Sequence, residues 1–249
     1  MKIPKIIHYC WFGGKPLPEL AVKCIASWKK YLPEYEIKEW NESNFDVDII
    51  PYTSEAYKAK KYAFVSDYAR FWILYKYGGI YFDTDVEVIR PLDDIIARGP
   101  FMGCEKEIKI GPVQEFVAPG LGLGVYPNLG FYNEILKYYS HLSFIKKDGS
   151  YNQATVVEHV TGLFVQHGLK FVNEIQECSG IYIYPKEYFC PLDYKTGKLY
   201  ITENTYTIHH YMASWHTKGQ KMYILFKNVF GENLAQVISK FLKKHGFAK

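Results

Sequence analysis

The sequence contains no CxxC pair. Its five cysteines (Cys10, Cys24, Cys104, Cys178 and Cys190) are odd in number and widely spaced. That pattern excludes a disulfide-stapled secreted scaffold and a zinc ribbon, and it points to a reducing compartment. Long hydrophobic runs are also missing. No window reaches the roughly 18 apolar residues of a membrane span, and the apolar part of the N-terminal MKIPKIIHYCWFGG is too short and too polar for a secretory leader. The expectation is a soluble cytoplasmic protein, at most peripheral to the inner face of a membrane. Internal repeats, low-complexity tracts and an interdomain linker are absent as well, so residues 1–249 read as one domain. Net charge is small, at +4. Residues 218–249 hold seven Lys and one Glu, a balance of +6, which leaves −2 on residues 1–217. A body of that sign argues against a nucleic-acid partner and confines the basic character to a C-terminal tail.

Apolar and aromatic side chains are plentiful. The hydrophobic fraction is 48%, with 23 Tyr and 16 Phe, enough for an aromatic-rich core with rings to spare for stacking on a sugar or a base. Lys5 to Trp11 reads as a buried strand ended by Gly13-Gly14, and Pro18 to Leu32 as a helix with Ala21, Val22, Ile25 and Trp28 on one face, stopped by Pro33. Tyr35 to Trp40 is a second strand, and Ser54 to Tyr77 a long helical region closed by Gly78-Gly79. Strands follow at Ile80 to Asp83 and Val86 to Ile89. Further on, Asn128 to Ser140 and Tyr151 to His167 read as helices, Ile181 to Tyr184 and Tyr206 to His210 as strands, and Leu234 to His245 as an amphipathic helix. Such alternation predicts an α/β/α sandwich with a mostly parallel central sheet and C-terminal helical elements, in which ligands bind beyond the carboxyl ends of strands. Polar and aromatic residues stand at three such ends: Trp11-Phe12-Gly13, Trp40-Asn41-Glu42 and Asp83-Thr84-Asp85.

The strongest chemical signal is GGIYFDTDVEV, residues 78–88. Two acids at the end of a buried strand repel each other and are costly to desolvate, so a partner is expected, and a divalent cation is the natural one. Mn²⁺ or Mg²⁺ takes oxygen ligands and commonly shares its shell between one or two carboxylates and substrate phosphates. A solvated acidic turn is the alternative. Within the preceding helix, Asp67 and Arg70 lie three residues apart, either as a surface ion pair or as a pair facing the cleft.

Four segments together, IPKIIHYCWFGG (3–14), SWKKYLPEYEIKEWNE (27–42), YAFVSDYARFWILYKYGGIYFDTDVEV (62–88) and IHHYMASW (208–215), resemble the DXD-containing sugar transferases of glycosyltransferase family 32. That family includes capsular and surface polysaccharide enzymes of bacteria and fungal α-mannosyltransferases, and it is distantly similar to the glucosylating domains of clostridial toxins. The resemblance implies a GT-A fold, a divalent metal and a retaining transfer from a nucleotide-diphosphate sugar, with UDP favoured, to a glycan or lipid-linked glycan. By that resemblance Trp11 stacks on the nucleobase, Asp67 and Arg70 hold the donor sugar, and Asp83 holds ribose and sugar. Asp85 holds the metal, and Ser214 and Trp215 close over the diphosphate. Residues 1–100 then form the nucleotide-sugar half, 101–217 the acceptor and site-closing half, and 218–249 the basic tail. Trp11 and Trp215 each have a plain core role as the alternative.

His210 is the expected further metal ligand, being nearer Ser214-Trp215 than His209, with Ser214 as its competitor. Adjacent strand residues face opposite ways, so one histidine of the pair is expected to look into the site. Two stretches depart from the family pattern: Thr161-Gly162 is followed by Leu163, and APGLGLG (118–124) has no counterpart, although glycines of that density can cradle a phosphate. In the tail, Leu234, Val237, Ile238, Phe241 and Leu242 share a helix face flanked by Lys240, Lys243 and Lys244, which suits either core packing or an anionic membrane surface. The rival functions are a non-catalytic nucleotide-sugar or glycan binder and a phosphatase of the haloacid dehalogenase type, which also ends an apolar strand in DxD.

Overall fold

A computed structural model describes residues 1–105, 117–194 and 196–212. The chain divides into two compact units, Met1–Pro191 with Ile201–His210, and Leu192–Tyr200 with Tyr211–Lys249. In the second unit Leu192 bridges Leu199 around a turn capped by Asp193, and the Tyr194 and Tyr211 rings lie 5.1 Å apart.

The first unit contains, in chain order, β1 (Ile6–Cys10), α1 (Glu19–Tyr31), β2 (Glu36–Trp40), α2 (Pro51–Lys58), α3 (Tyr62–Tyr77), β3 (Gly79–Tyr81), β4 (Val86–Val88) and α4 (Asp93–Arg98). There follow β5 (Phe101–Gly103), β6 (Leu123–Val125), α5 (Gly130–Ser140), α6 (Val156–Gln166), β7 (Gln176–Cys178), β8 (Ile181–Tyr184), α7 (Lys186–Phe189) and β9 (Thr207–His209). Seven strands make one sheet in the order β2-β1-β3-β6-β5-β8-β7. β2, β1 and β3 are parallel, β6 opposes β3 and β5, β8 is parallel to β5, and β7 opposes β8. Five of the seven strands therefore point one way, in the mostly parallel sheet that the sequence predicts.

Strand alternation distributes the helices over both faces. From β1, Tyr9 meets Trp28 of α1 edge-on at 5.8 Å, while its neighbour His8 faces the other way, with its ring 6.5 Å from Tyr77 of α3. Gly79 lets β3 approach β1 closely: its φ is 99°, and a Cβ there would sit 2.6 Å from the Ile6 carbonyl oxygen. Beyond α3, the helices α2, α5 and α6 add a layer rich in aromatic rings, including buried Tyr52, Tyr132, Tyr139 and Phe164, which packs with Phe71 of α3 and Phe144 in one core.

Several boundaries differ from the sequence reading. The long helix expected over 54–77 is two helices, because Lys60 takes a left-handed φ of 57° and the amides of Lys60 and Lys61 turn back to close α2. Apolar spacing stays in phase across that break, so periodicity alone reads straight through it. α6 begins at Val156 rather than Tyr151, where Thr155 and Glu158 form a reciprocal capping box. The glycine-rich stretch at 118–124 runs into β6, antiparallel to β3. The expected helix at 234–245 lies outside the described residues.

Candidate active site

β2, β1 and β3 are parallel neighbours, so their carboxyl ends lie side by side. This is where the three polar strand ends gather. After β3 the chain turns sharply: Phe82 N–H donates to His8 O, Asp83 N–H to Gly120 O, and Val86 N–H back to Asp83 O at 3.1 Å. Buried Phe82 packs 5.4 Å from Trp28, whose indole N–H donates to Val86 O at 2.7 Å. α1 thus pins both sides of the turn that carries Asp83 and Asp85.

The guanidinium of Arg70 organises the first acid. Its Nε donates to Ser66 O at 3.0 Å, Nη2 to Asp67 Oδ1 at 2.8 Å, and both Asp83 oxygens lie 3.4 Å from its terminal nitrogens. The Tyr81 ring lies 5.0 Å from Arg70 Cζ, and its hydroxyl donates to Asp83 Oδ1 at 3.0 Å. Arg70 and Asp67 side chains are only 4% and 11% exposed, so they are not a surface ion pair. One cation therefore serves two carboxylates. Burial pushes the Asp67 carboxyl up to about 7, the charge of Arg70 opposing and that of Asp83 reinforcing the rise. Burial alone would lower the Arg70 guanidinium, but Asp83, Tyr81 and Asp67 hold it firmly protonated. Asp83 keeps about a third of its side chain exposed. Gly120 makes this possible, since a Cβ there would collide with the Asp83 carboxylate. Gly120 therefore serves close approach to Asp83, while Gly122 and Gly124 leave room for the Phe82 and Phe101 rings, and the stretch runs into strand β6 rather than into a helix.

Asp85 is held by β9, which pairs antiparallel with β4 so that Val86 faces His209. Its carbonyl accepts the His210 N–H at 2.9 Å, and its carboxylate lies 3.4 Å from His209 Nε2. The His210 ring turns the other way and meets Glu87 at 2.8 Å. The histidine brought to Asp85 is thus His209, not the His210 that nearness to Ser214 suggested. The alternation rule holds: the two rings face opposite ways, and it is His209 that lies by Asp85. Burial opposes a charge on His209, and the Asp85 carboxylate outweighs it and raises the imidazole well above its usual value.

At the ends of β1 and β2, Trp11 lines a cavity of about 420 Å³ with Gly14, Lys15, Glu39, Asn41, Glu42 and Ser43. Trp11 is half-buried, and its indole N–H donates to Lys15 O at 2.5 Å. Glu39 receives the Tyr9 hydroxyl at 2.6 Å and the Asn41 amide at 2.9 Å, and Glu42 receives the Gly13 N–H at 2.5 Å. The walls of this cavity are therefore held rigidly.

Tyr81, Gly120 and His209 were not singled out by sequence reasoning for the roles their contacts give them. The signal for Tyr81 was its place two residues before Asp83. Gly120 announced itself only as part of a glycine cluster. Ser214 and Trp215 lie outside the described residues. Among the described residues, no group of three or more His, Cys, Asp and Glu side chains is gathered tightly enough to hold a metal ion. No described helix is long and apolar enough to cross a membrane.

Residues 18–102 match the family model described as a glycosyltransferase sugar-binding region containing a DXD motif, which bears out the sugar-transferase resemblance over that stretch. Inositol phosphoceramide mannosyltransferase 3 of Schizosaccharomyces pombe is 37% identical over 98 residues, covering 38% of this chain and 27% of the relative. Inositol phosphoceramide mannosyltransferase 1 of the same yeast is 27% identical over 112 residues, covering 41% and 34%. The matched stretch spans about a quarter to a third of the length of these relatives. A solved structure described as PaToxG glycosyltransferase superposes with a TM-score of 0.47 at 21% identity, covering 66% of this chain and 69% of that one.

Proposed function

We propose that this chain, whose residues 18–102 match a glycosyltransferase sugar-binding region, is a retaining hexosyltransferase of GT-A type. It takes its sugar from a nucleoside diphosphate donor, with uridine the expected nucleoside, and passes it to a glycan or lipid-linked glycan. The observation that carries this reading is the pair of acids ending β3, with Asp83 clamped by buried Arg70 and Asp85 set beside His209.

In this reading the donor lies along the carboxyl ends of β1, β2 and β3. Trp11 and its cavity take the base, Asp83 the ribose and sugar, and Asp67 and Arg70 the sugar hydroxyls. The diphosphate is the part of the donor that the family resemblance assigns to Ser214 and Trp215, which lie outside the described residues. Residues 1–100 thus serve the donor and residues 101–217 the acceptor, within one functional domain.

The donor set at Asp85 fits Mn²⁺ or Mg²⁺. The Asp85 carboxylate would supply oxygen to such an ion, and His209, now paired with Asp85 as a cation, would have to give up its proton before its nitrogen could join it. When bound, such an ion neutralises charge developing on the leaving diphosphate. The chain's own residues orient the sugar. Arg70, fixed at Ser66 O and Asp67, keeps Asp83 in one rotamer, and the buried Asp67 faces the sugar shielded from bulk solvent. Retention follows from same-face attack, with the acceptor hydroxyl passing its proton to the departing phosphate.

The two yeast relatives are named as inositol phosphoceramide mannosyltransferases, which supports a lipid-linked acceptor. Thermal stabilisation and turnover across UDP-glucose, UDP-galactose, their N-acetylated forms and GDP-mannose, with and without Mn²⁺, test the proposal. Metal-dependent stabilisation and slow donor hydrolysis are expected, and Asp85→Asn is expected to abolish hydrolysis in a folded protein. Binding without turnover for every donor would leave a sugar-nucleotide binder in place of a transferase. Cleavage of simple phosphate esters would point to the phosphatase.

A further inference from the structure

The helical layer behind Asp67 contains an unusual concentration of buried polar atoms. Tyr52 of α2 and Tyr139 of α5 are each 0% exposed, and neither hydroxyl finds a hydrogen-bond partner among the described residues. Their rings meet edge-on at 5.2 Å, and Tyr139 lies 6.1 Å from the ring of Tyr68, the residue after Asp67. His159 of α6 adds a third such atom. Its Nδ1 engages the Tyr138 hydroxyl at 2.9 Å, its Nε2 is shut off from solvent without a partner, and its ring lies 5.5 Å from that of Tyr139.

The charge on Asp67 acts on both phenols, raising Tyr52 and Tyr139 beyond what burial alone does. Tyr132, also 0% exposed and without a hydroxyl partner, feels no such charge and packs instead on Phe71. Buried hydroxyls are rarely left unpaired, because their lost hydration is not recovered. For buried hydroxyls on neighbouring rings, internal water bridging two to four polar groups is the usual solution.

We propose that ordered water is bound between α2, α3 and α5 by the Tyr52 and Tyr139 hydroxyls and braces the Asp67 carboxylate, so that both tyrosines are positioning residues for the donor sugar. The brace explains how Asp67 keeps one orientation when only its Oδ1 is tied to Arg70. The functional part rests on the reading that Asp67 contacts the sugar.

Full-length wild type, Tyr52→Phe, Tyr139→Phe and the control Tyr132→Phe are compared with Mn²⁺ and four probes: UDP-glucose and GDP-mannose, and UDP and GDP without sugar. The two brace variants are expected to bind the sugar nucleotide that the wild type accepts about three- to tenfold more weakly. The bare diphosphate should bind as before, and Tyr132→Phe should change neither. Equal weakening of both ligand types, or of neither, would overturn the positioning role. A crystal structure should show water within hydrogen-bond distance of both hydroxyls, and both brace variants should melt at lower temperature. No water there, or unchanged or higher melting temperatures, would overturn the bound water. Wild type that binds none of the probes would count against the transferase reading alone, since the density and the melting temperatures test the water independently.

Discussion

Asp83 has little freedom: Arg70 faces both its oxygens, Tyr81 donates to one of them, and its N–H is tied to Gly120. The backbone of Gly120 reaches Asp83 only because no Cβ intervenes. Gly120→Ala is therefore expected to push the carboxylate off Arg70, destabilising the fold by about 1–3 kcal/mol and lowering donor turnover at least tenfold. Gly162→Ala is the control, since nothing lies within 4 Å of a Cβ there and a helical Ala is favoured over Gly. Turnover in Gly120→Ala equal to that of the control would remove the role given to this contact. His8 makes a different prediction. Its Nε2 meets Gly78 O at 3.0 Å and its Nδ1 accepts the Trp40 indole N–H at 3.0 Å, an arrangement that requires the neutral ring. Burial lowers its pKa from 6.5 to about 4. The unfolded chain takes up this proton near 6.5 and the folded chain only near 4. The contribution to stability is therefore complete above about 6.5 and is lost as pH falls toward 4, by about 3 kcal/mol for this one group. Urea unfolding at pH 7, 5.5 and 4 should show that loss in the wild type and a shallower one in His8→Gln.

Elements differed in how plainly the sequence announced them. β1, α1, β2, β4, β8 and β9 are found within a residue or two of their expected limits, because each couples an apolar period to a Gly or Pro stop or to a polar strand end. β5, β6 and β7 have three residues each, as β4 and β9 do, but they lack the flanking apolar or polar cues of those two, and the glycines of β6 suggest a loop to any propensity scale. At the site, Asp83, Asp85, Asp67, Arg70 and Trp11 could be picked out because charge or ring chemistry at a strand end is conspicuous. The choice between His209 and His210 depended on the β4–β9 register, which pairs residues more than a hundred positions apart. The short β9 is held by more than its ladder: the Thr207 hydroxyl donates to Phe189 O at 3.0 Å. Thr207→Val keeps the shape and removes that bond, so a loss of about 1 kcal/mol is expected in chemical unfolding. An unchanged midpoint would mean that the bond contributes nothing to fixing β9.

At the scale of the whole molecule, a body of −2 and a tail of +6 over residues 218–249 make a polarised chain. If the tail docks the chain on a lipid surface, vesicles with about 30% anionic lipid should sediment the protein at low salt. Roughly 0.5 M salt should release it as the screening length falls to a few ångströms. Equal binding to neutral vesicles, or none to either, would refute electrostatic docking. The division of the strands between two sheets also has a bearing on protein synthesis. Every strand of the seven-stranded sheet lies before residue 185, whereas the strand that brings His209 to Asp85 begins at Thr207. Chains fold progressively as they leave the ribosome, so a nascent polypeptide can complete its main sheet, with Asp83 already on Arg70, while Asp85 still lacks the imidazole that faces it. The Asp85–His209 pairing is thereby postponed until residue 209 has cleared the exit tunnel, by which time the sheet that carries Asp85 is already built.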